Sequence, residues 1–477
     1  MKTVRRLLKI IIILVTLVII TLIITLFVDS YKTNYLKVNT KSTASKDTYL
    51  ITGVNIIPMY KDTILKSKMV FIKDGIIQKI ADTILIDGIQ KFDGQNKFLT
   101  PGLIDMHVHI WDRYELGLYL SNGVTAVRNL WGMPMHLRIK EDANTGEIYS
   151  PIIVTTGPKL TGPEFIGDDN LNLLNPKEAK EKIMSYKERG YDLIKTYYGL
   201  DKEIFDAVIE QTKKSDMDII AHPSQKVPFS YHLNPQIKSI EHAEEIVQQA
   251  LKFDLDTTKL KGIIDTISES KHTSYCPTLI VFKNIHNMMG NDSILDSEPI
   301  KYMNPLIRQV DSKMQFERWY NTKINDSSAL HRIEKQHKFH LTIVELLHKA
   351  NVNLICGTDA GIGITVPGFS IHKELQFYQE AGLSNYEVLK TATVNPTKTH
   401  SHFESLGTIE EGKTANLLVL DTNPLDDLSV LSEPSTIFIK GKKINRDKLN
   451  SFNSKAKNRK NLVATAIRYV ENLLVEK

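Results

Sequence analysis

The sequence predicts an α/β chain built on a (β/α)8 barrel, and three observations carry that expectation. Between residues 99 and 402, short apolar runs that read as strands alternate with amphipathic or capped helical stretches, about eight strands in all. Segments rich in short alternating strands bracket this middle, at residues 48–98 and again at 403–446. Polar residues with useful chemistry recur at the C-terminal ends of the middle strands, which is where barrels of this kind build their sites. Doubly wound sheets alternate strands and helices in the same way, so the alternation alone leaves both architectures standing.

The elements follow in chain order. Lys2, Arg5, Arg6 and Lys9 precede the uncharged run from Ile10 to Val28, close to the ~20 residues that a helix needs to cross a bilayer core. A cleaved leader would have an apolar core of ~7–15 residues and a small-residue cleavage site. This run ends in "FVDSYK", with no Ala, so residues 1–28 read as an uncleaved anchor whose basic flank stays cytoplasmic. Residues 29–47 are polar and read as a linker. In 48–98, "YLITGVNII", "MVFIKDGIIQKI" and "TILID" alternate like half-buried strands, with "KDG" as a hairpin turn.

The middle strands are "GLIDMHVH", "GVTAVRN", "PIIVTTG", "YDLIKTYY", "MDIIAHP", "IKSIEHA", "TSYCPTLIVF" and "VNLICGTDA". Among the intervening helices, Asn175-Pro176-Lys177-Glu178 supplies an N-cap, a first-turn Pro and a Glu three residues on. Asp201 caps the next, whose Ile204, Phe205, Val208 and Ile209 make one apolar stripe. Residues 403–446 return to strand texture in "ANLLVLD" and "STIFIKGKKI", and 447–477 read as a terminal helix.

Composition sets outer limits. The chain has 477 residues, 42% hydrophobic and 24% charged, with a formal charge of +5. Its Lys and Arg are scattered, so no nucleic-acid footprint is read. The basic tail segment "NSKAKNRKN" reads as part of a solvated terminal helix. Cys276 and Cys356 lie in apolar strand-like runs and read as small core residues. "GIGITVPG" lacks the spacing and context of a nucleotide-binding loop. His331, His337 and His340 are expected on a polar helix face.

The candidate site comes from the strand ends. His107 and His109 close the first strand, and with Asp105 they share one face by the period-two rule. Lys195 lies on the fourth strand, His222 ends the fifth, His242 the sixth, and Asp359 the eighth. Singly, each has an ordinary explanation as a hydrogen-bonded core residue, a surface lysine or a turn aspartate. Jointly, neutral imidazoles and a carboxylate suit zinc, and also manganese, iron or nickel. An ammonium repels a metal, so Lys195 joins such a set only with a depressed pKa and its amine converted to a carbamate.

"PGLIDMHVH", "IKTYY", "IIAHP", "SIEHAEE" and "GTDAG", in this order, resemble the amidohydrolase superfamily, in its imidazolonepropionase-like and metal-dependent peptidase-like (prolidase-like) branch. "PGFSIHKELQFYQEAGLSNYEVLKTATVNPTK" and "LGTIEEGKTANLLVLDTNPLDDL" extend the resemblance, which covers roughly Thr48 to Ile444. It implies a TIM-like metal-dependent hydrolase barrel with a small β-sandwich built from both flanks. It further implies that His107 and His109 bind the more buried ion and that His222 and His242 bind the more exposed one. Lys195, carboxylated, would bridge two Zn2+, and Asp359 would touch the buried ion and carry the proton. Some relatives have H-A-H after the fifth strand, where this chain has Pro223 and Ser224. Tyr231 or His232 would be the substitutes, with a loop role the alternative for both; separately, "HKEL" is shared with relatives, so His372 is a candidate for supporting the site, with a plain helix-start residue as the alternative.

The resulting expectation is an extracytoplasmic, membrane-tethered amidohydrolase. It would cleave amide-like C–N bonds, with small peptides or dipeptides favoured, and would bind no nucleic acid. The alternatives are a single-metal cyclic-amide hydrolase, deaminase or lactonase, and a non-catalytic barrel that only binds. Oligomeric state stays open.

Overall fold

The computed structural model describes residues 2–38, 48–164 and 170–476. At its centre are eight parallel strands: β1 (Leu103–Val108), β2 (Val124–Asn129), β3 (Ile152–Thr155), β4 (Ile194–Thr196), β5 (Ile219–Ala221), β6 (Ile237–Glu241), β7 (Ser274–Cys276) and β8 (Asn353–Leu354). Hydrogen-bonded ladders join β1 to β3 and β4 to β8. Parallel bridges at Thr156–Leu193 and Val108–Ala360 close the circle. The alternation predicted from sequence is therefore a TIM-barrel-like α/β fold, and the doubly wound alternative falls because the last strand's loop returns to the first. The β1–β2 register shifts between Asp105 and Val108, so the ladder is irregular where His107 projects.

A shell of Leu, Ile, Val and aromatic side chains packs between the strands and the surrounding helices. A smaller cluster including Met106, Ala126, Val154, Ile220, Cys276 and Ile355 joins neighbouring strands directly. Both cysteines are buried and free. His337 and His340 depart from expectation: they are buried against Phe377 and Phe282, while His331 stays exposed. Their helix, Ala329–Lys349, has a wider apolar face than the charged residues in "HRIEKQHKFH" suggest.

The flanks form an additional sheet. Tyr49–Ile56, Leu65–Lys73, Ile76–Ala81, Gln90–Asp93 and Phe98–Pro101 combine with Leu417–Leu420, Thr436–Ile439 and Lys442–Asn445. Where a β-sandwich was expected, these eight strands make one hydrogen-bonded sheet. Tyr49–Ile56 is long enough to pair with Gln90–Asp93 along its first half and with Phe98–Pro101 along its second. Leu99 sits opposite Val419, which ties the two flanks together. Phe98–Pro101 thus belongs to this sheet and the barrel begins at Leu103, although the sequence reading divides the two at residue 98.

The apolar N-terminal segment is helix α1 (Lys2–Lys32), long and apolar enough to cross a membrane, with its apolar side chains exposed. The stretch expected as a linker starts as packed chain: Asp29, Thr33 and Leu36 are buried, and Tyr35 lies against Tyr114 and Phe452. Residues 39–47 fall outside the described residues. The C-terminal stretch is two helices rather than one. One, Arg446–Lys457, packs on helix α2 (Tyr114–Ser121), where Gly117 allows the approach: a Cβ there would meet Phe452 at 2.9 Å. The second, Leu462–Glu476, packs beside α1 and the helix Pro134–Asn144.

Candidate metal centre

The barrel brings the six candidate residues to one end. His107 lies on β1 and His109 just past it, Lys195 is the middle residue of β4, and His222 and His242 follow β5 and β6 directly. Asp359 stands in the loop after β8. All six are buried. The rings of His107 and His109 lie 5.5 Å apart, those of His107 and His242 4.9 Å, and those of His242 and His222 4.8 Å, so four imidazoles form a continuous arc. Asp359 Oδ1 reaches His109 Nε2 at 2.6 Å and His107 Nε2 at 3.1 Å.

Two of the imidazoles have one nitrogen held from behind by a hydrogen bond, and a third has a carboxylate close by. His107 Nδ1 donates to Glu241 Oε2 at 2.7 Å, since a carboxylate only accepts. His242 Nδ1 bonds Thr278 Oγ1 at 2.7 Å. His222 Nε2 lies 3.0 Å from Glu245 Oε1, off hydrogen-bond alignment, and Glu245 is steadied by Tyr198 and Gln249. The remaining nitrogens are free for an ion. His107 Nε2 converges with a His242 nitrogen and an Asp359 oxygen inside one cluster whose atoms lie within 4.8 Å of one another. Both nitrogens of His222, His109 Nδ1 and Lys195 Nζ are buried with no hydrogen-bond partner among the described residues. Buried polar atoms left unpaired are costly, and side chains at one end of the barrel that hold several of them call for a further partner. The donor set fits a divalent metal.

The electrostatics agree with that chemistry. Burial pushes His109, His222 and His242 below the usual histidine range, so they are neutral and able to ligate. Burial pushes Asp359 up, but His107 and His109 more than offset it and hold the carboxyl well below its ordinary value. Lys195 is lowered to about 8 by burial, against the pull of Glu241. A lysine with an appreciable neutral fraction is nucleophilic, which carbamate formation requires.

The site includes strained backbone. His242, Thr278 and Asp359 adopt φ values of 70°, 48° and 60° without being glycine. Such conformations cost about 1–3 kcal/mol each and persist where the surroundings enforce them. The Asp359 loop is held by Asp105, which accepts from Thr358 Oγ1 at 2.7 Å and from Thr358 N at 3.1 Å. Asp105 therefore pins the loop carrying Asp359 instead of facing the imidazoles, and burial pushes its carboxyl up to about 7. Gly361 lets that loop cross the end of β1, because a Cβ there would meet His109 O at 2.0 Å.

Sequence reasoning missed the supporting residues. Glu241 Oε1 also accepts from Arg128 Nη2 at 2.8 Å and Ser239 Oγ at 2.5 Å. Arg128, fully buried, continues to Met106 O at 2.6 Å and His400 Nε2 at 2.9 Å, and His400 Nδ1 bonds Asp218 at 2.7 Å. Two signals were present: an arginine inside the apolar strand "GVTAVRN", and two glutamates bracketing His242 in "SIEHAEE". Tyr231 packs on Phe205, with centroids 5.4 Å apart, and His372 Nε2 donates to Asn122 O at 3.0 Å. Those contacts hold the barrel's loops and helices rather than the imidazole arc.

A family profile described as the amidohydrolase family matches residues 202–444, just over half of the chain. The chain belongs to the amidohydrolase family. The matched stretch contains His222, His242 and Asp359, and the other three candidates precede it. Ochratoxinase of Aspergillus niger is 23% identical over 407 residues, covering 71% of this chain and 73% of that enzyme. Among solved structures, bottromycin amidohydrolase superposes with a TM-score of 0.71 at 20% identity, over 90% of this chain and 96% of its own. A putative prolidase from Bifidobacterium longum gives 0.64 at 21%, over 86% and 99%. As an amidohydrolase, this protein is a metal-dependent hydrolase of amide C–N bonds.

Proposed function

We propose that this amidohydrolase uses two divalent ions, most simply Zn2+, joined by a carboxylated Lys195, to hydrolyse small peptide-like amides. The observation that carries the reading is the compact cluster of His107, His242 and Asp359 within the four-imidazole arc, with Lys195 Nζ and both nitrogens of His222 buried and without hydrogen-bond partners among the described residues. His107 and His109 would hold the more buried ion and His222 and His242 the more exposed one, with Asp359 on the buried ion. When bound, the ions supply Lewis acidity for the attacking water and the scissile carbonyl. The chain supplies the proton traffic: Asp359, fixed between His107 Nε2 and His109 Nε2, accepts the water's proton and returns it to the leaving nitrogen. Glu241, Thr278 and Glu245 orient the imidazoles, so that the nitrogen left over on each faces inward.

Dipeptide-like substrates are favoured by the prolidase-like resemblance, and the names of the related proteins support a small amide of some kind. We further propose that α1 anchors the chain in a membrane, with the hydrolase domain outside the cytoplasm, as the basic flank of Lys2, Arg5, Arg6 and Lys9 supports. One observation favours a second reading. The compact cluster of His107, His242 and Asp359 mixes residues assigned to both ions, as a single-ion cyclic-amide hydrolase or deaminase would.

Metal analysis of the purified chain decides between them. Two ions per chain, falling to one in Lys195→Ala with loss of dipeptide hydrolysis, is the expected result. One tightly held ion in a fully active wild-type preparation would overturn the bridged site.

A further inference from the structure

The basic segment "NSKAKNRKN" is unused by the hydrolase chemistry, and its placement gives it a purpose. It ends the helix Arg446–Lys457 and forms the turn into Leu462–Glu476. Arg459 and Asn461 reach Asp112, three residues past His109, at 3.3 and 2.9 Å, and Arg459 also donates to Glu115 and to Tyr302 O. The turn is thereby fixed on the catalytic face of the barrel.

The apolar helix α1 leaves the protein at the same place. Leu26 and Ser30 line a cavity of about 260 Å3 with Asp112, Arg113 and Arg468, and Arg468 donates to Asp29 Oδ2 at 2.6 Å. Tyr35 then wedges between Tyr114 and Phe452, and Lys448 Nζ donates to its carbonyl. No slack separates α1 from the barrel, so whatever surrounds α1 also meets the turn beside it. Around that exit Lys32, Lys455 and Lys460 are exposed. Lys457 is shared with Glu298, and Arg138 with Glu471. Outward-facing Val463 and Val470 continue the apolar surface along the second C-terminal helix.

We propose that the turn at residues 455–460, with Lys32, docks on anionic phospholipid headgroups and holds the catalytic face of the barrel against the bilayer. The inference rests on α1 as a membrane anchor and adds what the anchor does to the site. Lysines within a Debye length of an anionic surface are attracted to it, and the attraction weakens with salt. An apolar span next to a basic cluster is the usual two-part signal for a fixed interfacial position.

The test uses the full chain reconstituted in vesicles of phosphatidylcholine, with or without phosphatidylglycerol. Lys455→Cys and Ser454→Cys are each labelled with an environment-sensitive dye, since Cys276 and Cys356 are buried. Headgroup-attached quenchers should quench both labels several-fold more in the anionic vesicles. High salt, or a Lys460→Glu charge reversal, should abolish the difference. Equal, weak quenching in both vesicle types would overturn the docking, and so would labels shielded in detergent by a second copy of the chain. Flotation after alkaline extraction reads the anchor separately. A chain that floats but leaves the turn in water refutes only the docking, whereas one that fails to float refutes the anchor.

Discussion

Two populations of buried histidine separate the catalytic end of the barrel from the rest of the molecule. In one, both nitrogens are satisfied by protein. His136 accepts from Met133 N at 2.8 Å and donates to Ile110 O at 2.7 Å, His232 accepts from Ser224 N at 2.9 Å and bonds Phe229 O, and His400 spans Arg128 and Asp218. In the other, at the strand ends, His107 and His242 each commit Nδ1 to a partner behind the ring, and His222 has Glu245 nearby but no hydrogen bond on either nitrogen among the described residues. An isolated unpaired nitrogen does not mark a site, because His337 Nδ1 and His372 Nδ1 are also unpaired among the described residues. The mark is grouping: His107, His242 and Asp359 in one compact cluster, in contact with His109 and His222 along the arc.

The sharpest way to break this contrast is to remove Arg128, which belongs to both populations through Glu241 and His400. Arg128→Met leaves Glu241 a buried carboxylate with a lost ion pair, a change that costs about 3–5 kcal/mol. Thermal unfolding should show a large drop in Tm. Adding Glu241→Gln should recover part of it, because the orphaned charge is then gone. A double variant no more stable than Arg128→Met alone would mean that Arg128 acts through its bonds to Met106 O and His400 rather than through Glu241.

The contrast also explains what was legible in the sequence. The strand-end residues stood out because polar types at the ends of apolar runs are unusual, and period-two and barrel rules bring such ends together. Glu241 and Glu245 bracket His242 in the sequence, but that they and Thr278 stand on the far side of an imidazole is recognised only once strand register and loop geometry are known. Asp105 shows the limit of the period-two rule, because the irregular β1 ladder and the Asp359 loop turn it to Thr358. The packing of residues 29–38 was hidden for another reason. Their partners lie far along the chain, Tyr114 and Phe452 against Tyr35 and the Tyr149 N–H on Leu36 O, and a polar composition carries no trace of them.

Acid should next test the histidines whose nitrogens are both satisfied by protein. His400 is held down to about 4 by burial, although Asp218 pulls it the other way. Its folded pKa lies below its unfolded value, so between about pH 6.5 and 4 the unfolded chain binds a proton that the folded chain refuses. Stability from this group is therefore present above that window and is lost as pH falls through it, by up to about 3 kcal/mol. Denaturation of wild type and His400→Gln at pH 7 and pH 4.5 should show a smaller acid loss in the variant. Parallel losses would remove His400 from the list of neutral structural histidines.

The smallest expected effect tests whether the hydroxyl behind His242 matters for the inward nitrogen. Thr278 sits at φ 48°, a strained place for a β-branched residue, and its Oγ1 is 2.7 Å from His242 Nδ1. Thr278→Val keeps the shape and the strain but removes the hydroxyl, while Thr278→Ser keeps the hydroxyl and loses only a methyl. Losing the partner behind a ligand typically costs at least about tenfold in metal affinity. Competition against a chelator should therefore show Val weakened about tenfold and Ser close to wild type, with Tm nearly unchanged in both. Equal retention in Val and Ser would mean that ring packing between His107 and His222 orients His242 by itself, and that the half-satisfied pattern at this strand end owes nothing to its hydrogen bond.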